Sequence, residues 1–150
     1  GFYSGYASIS IDKGLTWSAL PRGLDNGAIS IHIWALTSSG DTIVAGFSSG
    51  YASISINKGL TWSALPRGLS SGITTTSISA LTSSGDNFIA GFGAGYASIS
   101  IDKGLTWSAL PKGLSSGSTT ADIGALTSSG DVFIAGLDGG YAAISAPQEV

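Results

Sequence analysis

Apolar and polar residues alternate with period two along most of this chain, in short runs separated by glycine-rich breaks, as half-buried β-strands do. The second repeat onward shows it most plainly. Ile73–Thr82 (ITTTSISALT) predicts a first strand, and Ser83-Ser84-Gly85-Asp86 a turn with Gly and Asp at turn positions. Asn87–Phe92 (NFIAGF) predicts a second strand, Gly93–Gly95 a connection, and Tyr96–Ile101 (YASISI) a third strand. Asp102-Lys103-Gly104 turns the chain into a fourth, Leu105–Leu110 (LTWSAL), which ends at Pro111 because proline cannot donate to a ladder. The whole pattern recurs every 45 residues, in units 1–45, 46–90 and 91–135, with a partial unit at 136–150. In chain order the strands are third and fourth, all four, all four, then first, second and third, thirteen in all.

The stretch around each Asp-Lys-Gly or Asn-Lys-Gly is the most constant part of the unit. Its skeleton is Ser-x-Asp-x-Gly-x-Thr-Trp: Ser10, Asp12, Gly14, Thr16 and Trp17; Ser55, Asn57, Gly59, Thr61 and Trp62; Ser100, Asp102, Gly104, Thr106 and Trp107. This skeleton resembles the Asp-box of bacterial neuraminidase (BNR) repeats, which forms the turn between the third and fourth strands of a β-propeller blade. The resemblance implies that the Asp and Ser side chains tie down the turn and that the Trp packs into the blade. Four antiparallel strands per 45 residues fit a blade period of about 40–50 residues. A β-solenoid is the competing reading, although its coils are usually shorter.

The expected fold class is therefore all-β: a β-propeller of four-stranded antiparallel blades, about three per chain, in a single domain. Closed propellers have about four to eight blades, so three leave open edges. A homodimer would close a six-bladed ring, the number seen in sialidases, whereas a trimer would need nine. In that ring the N-terminal hairpin, Tyr6–Leu20, meets the partner's C-terminal strands. Tyr141–Ser145 (YAAIS) competes with Tyr6–Ser10 (YASIS) for one slot, and Ala146-Pro147 keeps it from completing a turn motif. The N-terminal strand is expected to win because its hairpin mate comes with it.

Composition narrows the function by exclusion. Charged residues are 10 % of the chain and the net charge is −3, which offers nothing to nucleic acid. There is no cysteine, so neither a disulfide framework nor a thiolate metal site is available. No apolar run approaches the ~20 residues of a membrane span, and no secretory signal is visible. A chain opening at Gly1 without any methionine reads as a processed or excised product.

Catalysis is not expected either. The only glutamate is Glu149, arginine occurs only at Arg22 and Arg67 with Lys112 at the equivalent place, and His32 is the only histidine, with no nucleophile motif. The arginine triad of sialidases therefore has no counterpart. Asp12 and Asp102 share their place with Asn57, which suits a turn better than a Ca²⁺ site wanting 6–8 oxygens. No metal and no cofactor are expected. Asp41, Asp86 and Asp131 read as turn formers.

What remains is where the units differ. Differences crowd into Asp25–Trp34, Ser70–Ser79 and Ser115–Gly124, with fewer at Ser48–Ser49, Gly93–Ala94 and Asp138–Gly139. In a propeller these are the fourth-to-first and second-to-third connections, which share the face opposite the Asp-box turns. The candidate ligand residues there are His32, Trp34, Asp25, Asn26, Ser77, Ser79, Asp122 and Asp138. Trp34 stands where the other units have Ser79 and Gly124. It reads either as drift or a plug for a wide channel, or as the aromatic platform of a binding face. The function expected is a non-catalytic binding module, lectin-like or protein-binding, with multivalent sites and itself as a partner. Two alternatives stand: an assembly scaffold, by analogy with photosystem-assembly and receptor members of the Asp-box family, and a designed or amplified repeat with no evolved ligand.

Overall fold

The computed structural model describes residues 3–27, 31–70 and 75–145. Gly1, the predicted strand start at Ile73, Ala146-Pro147 and Glu149 lie outside the described residues. Among the described residues, thirteen strands form four antiparallel sheets. The first is a hairpin of β1 (Ser8–Ile9) and β2 (Ser18–Ala19). The second holds β3 (Ile33–Ser39), β4 (Thr42–Phe47), β5 (Ala52–Ser55) and β6 (Ser63–Leu65). The third holds β7 (Ile78–Ser84), β8 (Asn87–Phe92), β9 (Ala97–Ser100) and β10 (Ser108–Ala109). The fourth holds β11 (Ile123–Ser129), β12 (Val132–Leu137) and β13 (Ala142–Ile144). No helix among the described residues is long and apolar enough to cross a membrane.

Boundaries differ from the sequence pattern: β7 begins at Ile78, with residues 75–77 outside the ladder, and β9 spans Ala97–Ser100 rather than Tyr96–Ile101. Two further differences have a local reason. The first strand runs on through Ser83 and Ser84, which pair with Phe88 and Asn87. That leaves Gly85-Asp86 as a two-residue turn, with Gly85 at φ 58°, the left-handed value such hairpins favour. The fourth strand does not begin at Leu105, because residues up to Trp107 belong to the preceding turn; its ladder is only Ser108 and Ala109.

The sheets stack through their flat faces. Phe47, Phe88 and Phe92 are fully buried. One core joins the second and third sheets through Val44, Ile54, Ile78, Phe88 and Trp107. Another joins the first and second through Leu24, Ile33, Phe47 and Trp62. Glycine sets the sheet spacing: a Cβ on Gly46 would stand 2.4 Å from Ile78 Cγ2, and one on Gly91 2.4 Å from Ile123 Cγ2. The first strands β3, β7 and β11 lie side by side. Hydroxyls bridge them, with Thr37 and Ser83 at 2.9 Å, Ser39 donating to the Gly85 carbonyl at 2.8 Å and Ser84 to that of Gly130 at 2.6 Å.

Candidate functional site

The three turn motifs are closed circuits of side-chain and backbone groups. Ser10 Oγ accepts from the Gly14 amide at 2.7 Å and donates to Asp12 Oδ1 at 2.9 Å. Asp12 accepts from the Thr16 amide at 2.8 Å and the Thr16 hydroxyl at 2.5 Å, and Trp17 Nε1 donates to the Gly14 carbonyl at 3.0 Å. The third motif repeats this with Ser100, Asp102, Gly104, Thr106 and Trp107. In the second, the Asn57 amide donates to Thr61 Oγ1 at 2.7 Å while its carbonyl accepts the Thr61 amide at 2.9 Å. Asn thus serves by reversing one hydrogen bond. Gly14, Gly59 and Gly104 sit at φ 90°, 88° and 83°, a region costly for any side chain.

Both carboxylates are spent on the turn. The Thr16 hydroxyl and amide, with help from Ser10, hold the Asp12 carboxyl at about 2, below its ordinary 3.8, and Thr106 with Ser100 does the same for Asp102. Among the described residues no group of three His, Asp or Glu stands where it could hold a metal ion.

A pH dependence follows. A carboxyl depressed in the folded state stabilises it fully above the unfolded value of about 3.9, and that contribution is lost as pH falls toward 2. Asn57 contributes nothing to this. The Asp12→Asn, Asp102→Asn double variant should therefore lose less melting temperature than the native chain between pH 4 and pH 2. Calorimetric melts across that window check it, and parallel curves would refute it.

The face residues do not gather into one pocket. Trp34 lies on β3, half exposed at 53 %; its Nε1 donates to Ser48 Oγ at 2.6 Å, and His32 meets it edge-on at 5.6 Å. His32 Nδ1 accepts the Ser4 amide at 3.2 Å, and Asp122 Oδ1 accepts the Ala94 amide at 2.7 Å. Ser4 and Ala94 are equivalent residues two units apart, both left-handed at φ 60° and 56°. The two side chains thus make the same tether onto the connection that enters β1 or β9 in the preceding sheet. Ser79 Oγ donates to the Ile123 carbonyl at 2.5 Å, binding β7 to β11. The Ser77 carbonyl accepts the Gly93 amide at 3.4 Å, and the Asp138 amide donates to the Asp122 carbonyl at 3.0 Å. Asp25 is exposed at the end of the 3₁₀ turn Arg22–Asp25, and the Asn26 amide caps that turn on Gly23.

One recurrent device escaped the sequence reading. Arg22 lies 4.6 Å over the Tyr6 ring, Arg67 4.3 Å over Tyr51, and Lys112 4.7 Å over Tyr96, a cation–π contact. Arg22 and Arg67 also donate from Nε to the Ser4 and Ser49 carbonyls at 2.8 Å. The fixed spacing of Tyr and cation in each unit carried the signal.

No family model matches the chain, and no curated protein matches it. Solved structures do. YCF48 bound to D1 peptide matches 98 % of this chain over 47 % of its own, with TM-score 0.70 and 15 % identity. YCF48 from Cyanidioschyzon merolae matches 98 % over 48 %, with TM-score 0.68 and 18 % identity. The K499G mutant of NanB sialidase from Streptococcus pneumoniae matches 87 % over 23 %, with TM-score 0.54 and 17 % identity. The chain spans about half the length of the YCF48 structures. At these identities the likeness shows the fold, in which the four antiparallel sheets are arranged as in β-propellers.

Proposed function

We propose that the chain is half of a six-bladed Asp-box propeller, completed by a second copy, and that the ring is a non-catalytic module binding protein as an extended peptide. Trp34 carries this reading. Its indole N–H is satisfied by Ser48, so its exposed ring faces remain for apolar contact, and indoles with this character dominate many interfaces. The blade does not demand it, since the equivalent Ser79 and Gly124 occupy the same sheet position. The capture of a D1 peptide by YCF48, a protein of similar fold, supports peptide over carbohydrate.

Panning a displayed peptide library, with a glycan array in parallel, tests this on the native chain and on Trp34→Ser. Enriched peptides should bind Trp34→Ser at least about 10-fold more weakly, a loss near 1.4 kcal/mol, with the melting temperature unchanged. Asp122→Ala is a poorer probe because it also removes the tether to Ala94. Equal binding by Trp34→Ser would end the platform reading. Glycan hits alone would make the module lectin-like, and no hits would favour a repeat without an evolved ligand.

A further inference from the structure

The three tryptophans of the turn motif have local sequences that differ only in Asn57, and unequal fates. Trp62 and Trp107 are 8 % and 7 % exposed, while Trp17 is 64 % exposed. The difference lies in what precedes each one in space. Trp107 shares a core with Val44, Ile54 and Leu69 of the second sheet and the turn that follows it, with Gly104 so close that a Cβ would come within 3.1 Å of Val44 and Ile54. Trp62 packs with Leu24, and a Cβ on Gly59 would come within 2.9 Å of Ile9. A Cβ on Gly14 would meet nothing within 4 Å. The first hairpin is a knob without a hole.

The matching hole is at the other end of the chain. A cavity of about 810 Å³ lies between the third and fourth sheets, lined by Ile89, Ile99 and Leu114. These are the residues one unit on from Val44, Ile54 and Leu69, which hold Trp107. Leu24 and Leu69 are fully buried, whereas Leu114 is only partly so. Asp131 stands at the cavity rim. Its equivalents Asp41 and Asp86 each receive a lysine: Lys58 and Lys103 donate their amides to the Asp carbonyls at 2.8 and 2.9 Å and bring Nζ to the carboxylates at 3.7 and 3.8 Å. Among the described residues no ion pair reaches Asp131 or Lys13.

We infer that the β1–β2 hairpin of a second copy replaces β13 beside β12, setting Trp17 on Ile89, Ile99 and Leu114 and Lys13 opposite Asp131. The inference rests on the half-ring reading above and names the contact that closes the ring. β13 is a placeholder. It has three residues, two of them exposed, and pairs only with β12, and Ser145 exchanges two 2.9 Å hydrogen bonds with Phe133 at its end. Tyr6–Ser10 differs from Tyr141–Ser145 only in Ser8 for Ala143, so β1 can make the same ladder. It also brings a paired strand, a formed turn and an indole, and burying an indole removes about 150–250 Å² from water. Each chain offers the β1–β2 hairpin and this cavity, so two chains satisfy each other twice.

The absence of native cysteine permits a clean test. Lys13→Cys and Asp131→Cys chains, mixed at micromolar concentration under oxidised glutathione, should form a disulfide-linked species of twice the chain mass. The backbone hydrogen bond seen at the equivalent internal pairs places such residues within bridging range. Trp17→Ala should raise the dimer dissociation constant by about 100-fold or more, since two seats are lost together, with circular dichroism unchanged. Light scattering on the native chain separates the two levels. A single-chain mass would overturn the half-ring reading and this inference together. A doubled mass with no Lys13→Cys to Asp131→Cys crosslink would overturn the seating of Trp17 and leave the dimer standing.

Discussion

Replacing Trp107 by alanine is expected to destabilise the chain by about 3–5 kcal/mol, the range for emptying a well-packed aromatic site. The indole fills the seam between the second and third sheets, against Val44, Ile54 and Leu69. Its Nε1 is the donor to the Gly104 carbonyl at 2.8 Å. Alanine would leave a cavity between two sheets and unpair a buried carbonyl, two costs that add. The loss is internal to one chain, so urea titrations at two protein concentrations should give the same destabilisation. At Trp17, whose proposed seam lies between chains, the cost should instead shrink as protein concentration rises. A Trp107→Ala cost below about 1 kcal/mol would mean that the sheets do not depend on this contact.

The second large effect is expected at a glycine with ordinary backbone geometry. Gly91→Ala would bring a Cβ to 2.4 Å from Ile123 Cγ2 and 2.9 Å from Ile123 Cβ, so the third and fourth sheets must part. Overpacking of this kind costs about 1–3 kcal/mol or more. Gly136 occupies the same place one unit on, and within one chain its nearest neighbour is Ala125 Cβ at 3.8 Å. Gly136→Ala should therefore be tolerated in a single chain and cost stability only where a second copy packs on the fourth sheet. Pairing Gly91→Ala with Ile123→Ala should cost less than the sum of the two changes, a coupling a double-mutant cycle measures. Strict additivity would show that the two residues are not pressed together.

The strand order and the 45-residue unit were legible because both depend on local signals: alternation, turn glycines and a proline stop. The turn motif was legible too, since its hydrogen bonds span only two to four residues. The fourth strand was misjudged because those same bonds hold Thr106 and Trp107 in the turn, where alternation suggests a ladder. His32 and Asp122 read as candidate ligand residues because their partners, Ser4 and Ala94, lie 28 residues away beside the preceding sheet. The fate of Trp17 could not be read at all. Its neighbours in sequence match those of Trp107, and what sets it apart is that no sheet among the described residues packs on it as the second sheet packs on Trp107.

A hairpin at one end and a three-stranded sheet at the other make the chain polar, like a link with a hook and an eye. Head-to-tail joints of this kind close wherever the accumulated rotation returns to its start. Subunit number then becomes a quotient, the wedges in a full turn divided by the wedges in one link. Gain or loss of a whole unit between the ends would change stoichiometry without altering a single residue of the joint. Repeat copy number, rather than interface chemistry, would be the variable on which quaternary structure could drift.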